Sequence, residues 1–159
     1  MGFSRHLTQE SSGPESVSVA QDLLQADRIL HGVRAIEDAA LVRSLASSRV
    51  CLDVCPTSNF KLRVCTPEDH PLPTLLERGV RCSVNADDPL LFGSSLLGEY
   101  ELCRTLFSLS DHDLAQIATT SIDCSGAPRS LKDDALARVT AWITAGQSRI
   151  SESTQDMDP

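Results

Sequence analysis

The chain has 159 residues and a mass of 17.2 kDa, the size of one domain at roughly 100–200 residues each. With 14 Lys and Arg against 22 Asp and Glu it carries −8, which excludes the basic stripe of a nucleic-acid-binding module. Apolar residues make up 41% but never run for about 18 positions, so no membrane span is expected.

The opening residues MGFSRH lack the apolar core of a signal peptide, and His6 breaks the myristoylation pattern. With no export signal, cysteines 51, 55, 65, 82, 103 and 124 read as reduced thiols and a cytoplasmic location is expected. Pro14 and Glu15 suit a first helical turn, and Val17, Ala20, Leu23 and Leu24 repeat at helical spacing behind them. The branched run Arg28–Val33 reads as a strand. A helix over 36–48 follows, with Asp38 near its start and Leu41, Val42 and Leu45 on one face. Val50 to Cys55 reads as a strand ended by Pro56, and 57–70 as a loop. A third helix opens at His70-Pro71-Leu72-Pro73 and stops at Gly79, before a strand from Val80 to Asn85.

Strand and helix thus alternate three times, the pattern of βαβ units around a parallel sheet. The rest is helical. Leu96, Leu97, Tyr100 and Cys103 mark one helix. Ser110 with Asp113, and Ser130 with Asp133, resemble capping boxes for two more. Residues 1–146 are expected to form the folded part and 147–159 a polar, fraying tail.

Polar groups gather where the strands end: His31-Gly32, then Cys55-Pro56-Thr57-Ser58-Asn59, then Asn85-Ala86-Asp87-Asp88. Ligands of parallel α/β proteins bind at the carboxyl ends of strands, so these three stretches are expected to converge on one site. Each alone has an ordinary reading as well. His-Gly is a common turn, Asp-Asp-Pro a common helix start, Thr-Ser-Asn a common hydrogen-bonded loop, and Glu10 by itself a surface carboxylate.

The ordered set Gly13-Pro14-Glu15-Ser16, Arg28 to Arg34, Cys55 to Asn59, His70-Pro71-Leu72, Asn85-Ala86-Asp87-Asp88-Pro89 and Phe92-Gly93 resembles the C-terminal half of the adenosine deaminase family, from about residue 7 to about residue 143. The resemblance implies an α/β fold, a partial (β/α)8 barrel holding the last three to four βα units and the C-terminal helices. It implies zinc-dependent hydrolytic deamination of adenosine or a related 6-aminopurine, on a purine nucleoside or base as substrate. By family position, Asp87 is the zinc ligand and His31 the group that orients and deprotonates the attacking water. Asp88 binds the purine, and Glu10 donates a proton to its ring.

Departures from the family pattern are as informative. No His-x-His occurs anywhere in the chain, and the fifth-strand His-Ala-Gly-Glu is replaced by Leu7-Thr8-Gln9-Glu10. Leu30 replaces the glycine before the catalytic histidine, and Gly126 stands where the family has a large aromatic. One carboxylate cannot complete a catalytic zinc shell of three or more protein ligands. The isolated chain is therefore expected to be inactive. Three or four strands also cannot close a barrel, leaving an open edge and, by expectation, an apolar inner face. Two readings stay open: part of a deaminase, from a truncated gene or as one half of a split enzyme that needs a second chain or self-association, or a non-catalytic chain, either a degenerate remnant or a binding and assembly module that retains the purine pocket.

Overall fold

The structure is a computed structural model and describes residues 6–9 and 13–155, with side chains described over 13–146. Four strands, β1 (His6–Gln9), β2 (Arg28–His31), β3 (Cys51–Val54) and β4 (Arg81–Val84), run parallel in the order β1-β2-β3-β4. Sequential order without a reversal is the winding of a (β/α) barrel, not of a doubly wound sheet, whose order turns back on itself. The crossovers carry α1 (Pro14–Asp22), α2 (Ala39–Ser47), α3 (Pro56–Lys61) and α4 (Leu72–Glu77). Beyond β4 come α5 (Pro89–Phe92), α6 (Leu96–Leu106), α7 (Asp111–Asp123) and α8 (Arg129–Gln155).

Local chemistry sets most boundaries. Asp38 caps α2 by accepting from the amides of Ala40 at 2.7 Å and Leu41 at 3.2 Å, and a 3-10 turn over Val33–Glu37 precedes it. The Ser110–Asp113 capping box starts α7 as its spacing predicts. Gly79, at φ +78°, follows α4 in the left-handed region, where a side chain is strained.

Alternation along the strands sends Ile29, Leu52, Val54, Cys82 and Val84 towards the helices, where they join Val17, Leu45, Leu75 and Ile117 in one aliphatic core. The opposite sheet face is not the apolar surface expected of it. Arg28 on β2 donates to both oxygens of Asp53 on β3, at 2.9 and 2.5 Å, and Ser83 on β4 donates to Asp53 at 2.6 Å. A polar ladder therefore crosses three strands, with Arg28 and Asp53 both buried.

Three further expectations are corrected. Part of the 57–70 loop is the short helix α3, begun by Pro56. Ser130 caps nothing, because α8 starts at Arg129, whose Nε reaches Asp133 at 2.9 Å and takes the carboxylate a capping box would use. In α6, Leu96 and Leu97 face solvent while Glu99 and Cys103 are fully buried. Among the described residues no helix is long and apolar enough to cross a membrane.

Candidate functional site

His31 is the last residue of β2 and has φ +63°, followed by Gly32 at the same φ. Two consecutive left-handed residues redirect the chain as it leaves the sheet. A Cβ at position 32 would meet Leu52 Cδ2 at 2.8 Å, so this turn accepts only glycine without repacking. Asp87, in the turn after β4, is also left-handed at φ +57°. Non-glycine residues in this region cost of order 1–3 kcal/mol each and cluster at functional sites.

These two strained residues face each other. His31 Nε2 lies 3.8 Å from Asp87 Oδ2, with the imidazole 1% exposed and the carboxylate 19%. Cys55, which follows β3, adds a sulfur, and the three donor atoms lie within 4.8 Å of one another. Three strand ends thus converge, as the positions of His31 and Asp87 in the sequence lead one to expect. Asp88 follows in the same turn. Its Oδ1 caps α5, accepting from Leu90 at 2.9 Å and Leu91 at 3.0 Å, and the residue is exposed. Glu10 lies outside the described residues.

Two contributions were not singled out by the sequence. Cys55 stands in a strand-end stretch expected at the site, but its own side chain reads as one more small buried thiol. Glu99 sits in α6 with the spacing of a solvated helical carboxylate, yet it is fully buried. It accepts from the Thr57 amide at 3.1 Å and from the Ser94 hydroxyl, so it ties the segment after β3 to the segment after β4. Lys61 makes a second tie, donating to the Phe92 carbonyl at 2.6 Å. Both hold the loops that carry Cys55 and Asp87.

The donor set can be tested against zinc. Asp87 Oδ2 is buried and accepts no hydrogen bond among the described residues, an arrangement that suits a carboxylate waiting for a cation. Oxygen, imidazole and thiol donors all suit zinc in kind. They fall short in number. Burial, followed by the charges of Asp87, Glu99 and Asp53, pushes the metal-free Cys55 thiol up to about 12. Asp87 is thus the ligand this chain would contribute, and a catalytic shell needs partners beyond the described residues.

A singly wound parallel sheet with a buried imidazole and a carboxylate at its strand ends has the arrangement of the (β/α) barrels, which gather their site residues at that rim. The family model for adenosine deaminase matches residues 5–142, and the chain belongs to the adenosine deaminase family. It is 47% identical over 137 residues to a putative adenosine/adenine deaminase of Streptomyces coelicolor, covering 86% of this chain and 40% of that protein. The adenine deaminase structure from Arthrobacter aurescens superposes with a TM-score of 0.83 at 34% identity, over 88% of this chain and 44% of that one. An amidohydrolase from Burkholderia ambifaria, solved with bound zinc, shares the fold with a TM-score of 0.83 at 24% identity, over 95% of this chain and 43% of that one. The chain therefore spans about two fifths of the length of the curated relatives it matches.

Proposed function

We propose that this chain supplies the C-terminal half of a (β/α)8 barrel that hydrolytically deaminates adenosine, adenine or a related 6-aminopurine. The observation that carries this reading is the approach of His31 to Asp87 at 3.8 Å, at the matching strand ends of a family member. Zinc held in part by Asp87 would act as a Lewis acid, making a hydrolytic nucleophile available at neutral pH. The His31 imidazole, shielded from bulk water, orients the attacking water and takes its proton. Asp88 hydrogen-bonds the purine through the part of its carboxylate not committed to the α5 cap. Glu10 donates a proton to the purine ring. Glu99 and Lys61 keep the two loops in register while these groups act. Relatives named adenine deaminase favour the free base as substrate.

The isolated chain is expected to release no ammonia from adenine or adenosine, with or without zinc. Co-expression with the N-terminal part of the Streptomyces coelicolor relative is expected to restore zinc-dependent ammonia release. Asp87→Ala should abolish that release, and full activity without Asp87 would remove it from the metal role. A second reading, a non-catalytic binding or assembly module, is favoured by Leu7 and Gln9, which stand where the family has His and Gly. It gains if the two parts associate and the complex binds purine but turns nothing over.

A further inference from the structure

The helices that follow β4 leave an open groove among themselves. α7 packs along β4, and α8 packs on α7. None of the described side chains of α8, over 129–146, is buried. Its Val139 and Trp142, with Leu97 and Tyr100 of α6 and Leu114 and Ala118 of α7, line an open cavity of about 630 Å³. Leu97 is 71% exposed, and Trp142, the one tryptophan of the chain, is 45% exposed. An apolar face shared by three helices is the kind of surface that marks a protein contact.

The place of the groove in the fold says what it faces. On one flank α7 meets α4, where Asp113 and Gln116 share a cleft with Pro73, Leu76 and Glu77. At about 3.6 residues per turn, Ala115 and Ala118, which face the groove, lie half a turn round the helix from that pair. The groove is thus on the flank of α7 turned away from α4. In a (β/α) barrel the helices form a closed outer ring, each set between two neighbours. α4 is the neighbour on the β3 side, and among the described residues β4 pairs with no strand on its other edge. The groove therefore stands where the ring continues past β4. Its rim is charged unevenly. Arg104 is engaged by Asp111 and, at 4.0 Å, by Glu101, whereas Arg138 forms no ion pair among the described residues.

We propose that the groove seats the outer-ring helix of the complementary half-barrel, the one whose strand closes against β4. That helix presents an apolar stripe to Leu97, Val139 and Trp142 and an acidic side chain to Arg138. Removing the apolar side chains from water drives the docking, with the Trp142 ring as the anchor. Arg138, at the rim, sets orientation and the rate of encounter more than affinity. The inference rests on the half-barrel reading and goes further, because it names a helical surface through which the two parts join besides their strand edges.

The test compares the full chain alone with the complex it forms on co-expression with the N-terminal part of the Streptomyces coelicolor relative. Hydroxyl-radical labelling mapped by mass spectrometry follows Trp142 and Leu97 in their own peptides, apart from any tryptophan of the partner. Both are expected to be labelled in the chain alone and protected in the complex. Leu97→Glu, at an exposed position, is expected to weaken association by about tenfold or more. Arg43→Glu, on the exposed face of α2, is expected to leave it unchanged. A complex that forms with Trp142 labelled as in the free chain, and that tolerates Leu97→Glu as well as Arg43→Glu, would overturn this inference and leave the half-barrel reading standing. Protection of Trp142 in the chain alone as its mass doubles with concentration would also overturn it, because a second copy would then hold the groove. Absence of any complex would remove the half-barrel reading and this inference with it. Labelling of the unaltered chain decides the matter even where a variant fails to fold.

Discussion

Arg28 and Asp53 show what a single buried pair does in this sheet. Burial opposes the guanidinium charge, but the hydrogen bonds and charge of Asp53 outweigh it and raise the Arg28 pKa. Such a pair contributes little net stability when intact, yet removing one partner strands the other. Asp53→Asn, which keeps the shape and loses the charge, is expected to destabilise the chain by about 3–5 kcal/mol, measured by urea unfolding. His70 gives a pH dependence of definite sign. It stacks on Phe107 with ring centroids 4.8 Å apart, accepts from the Leu72 amide at 3.2 Å and lies 3.3 Å from Asn59 Oδ1. Burial lowers its pKa to about 4, so the fold holds it neutral. The unfolded chain, with an ordinary histidine, binds the extra proton first as pH falls. Stability is therefore complete above about 6.5 and declines through about 4, by about 3 kcal/mol from this residue alone. A pH series of unfolding curves checks it, and His70→Gln should flatten the slope.

Capping decides where the later helices begin, and two serines that look alike in the sequence differ in consequence. Ser110 Oγ accepts from the Asp113 amide at 3.2 Å, and the Asp113 carboxylate accepts from the Ser110 amide at 2.9 Å. Ser110→Ala is expected to cost about 1 kcal/mol. Ser130→Ala, inside α8, should stay within about 0.5 kcal/mol of wild type, because that serine closes no helix end. Thermal unfolding of the two variants side by side separates a working cap from a sequence match. The spacing of Ser and Asp was equally legible in both places. Only the neighbour Arg129, which extends the helix and engages Asp133, tells them apart.

At the scale of the molecule, the sheet is open. Among the described residues β1 pairs only with β2, and β4 only with β3. The polar ladder on the inner face accounts for how a half-barrel can leave that face uncovered. Arg28, Asp53, Ser83 and Asn85 satisfy one another across the strands, which lowers the apolar surface that β2 to β4 leave on that face. Metal dependence should follow assembly. Zinc is expected to leave the melting temperature of the isolated chain unchanged, and to raise that of the complex with a complementary half. The gain would be about 2.7 kcal/mol at a hundredfold excess over the dissociation constant. A zinc-induced rise in the isolated chain would show a complete shell within these residues.

Much of the architecture was determined by the sequence alone, because its signals are local. Alternating apolar runs, Asp38, the Ser110 box and Gly79 each act within one turn of chain, and His31, Asp87 and Asp88 stand in short ordered stretches. The tertiary structure decided what depends on residues far apart. It turned Glu99 inward to join two loops, set Cys55 beside Asp87 and paired Arg28 with Asp53. Periodicity reports only which side of an element a residue occupies, not what meets it there. Those partners lie on different strands and helices, and only packing brings them into contact.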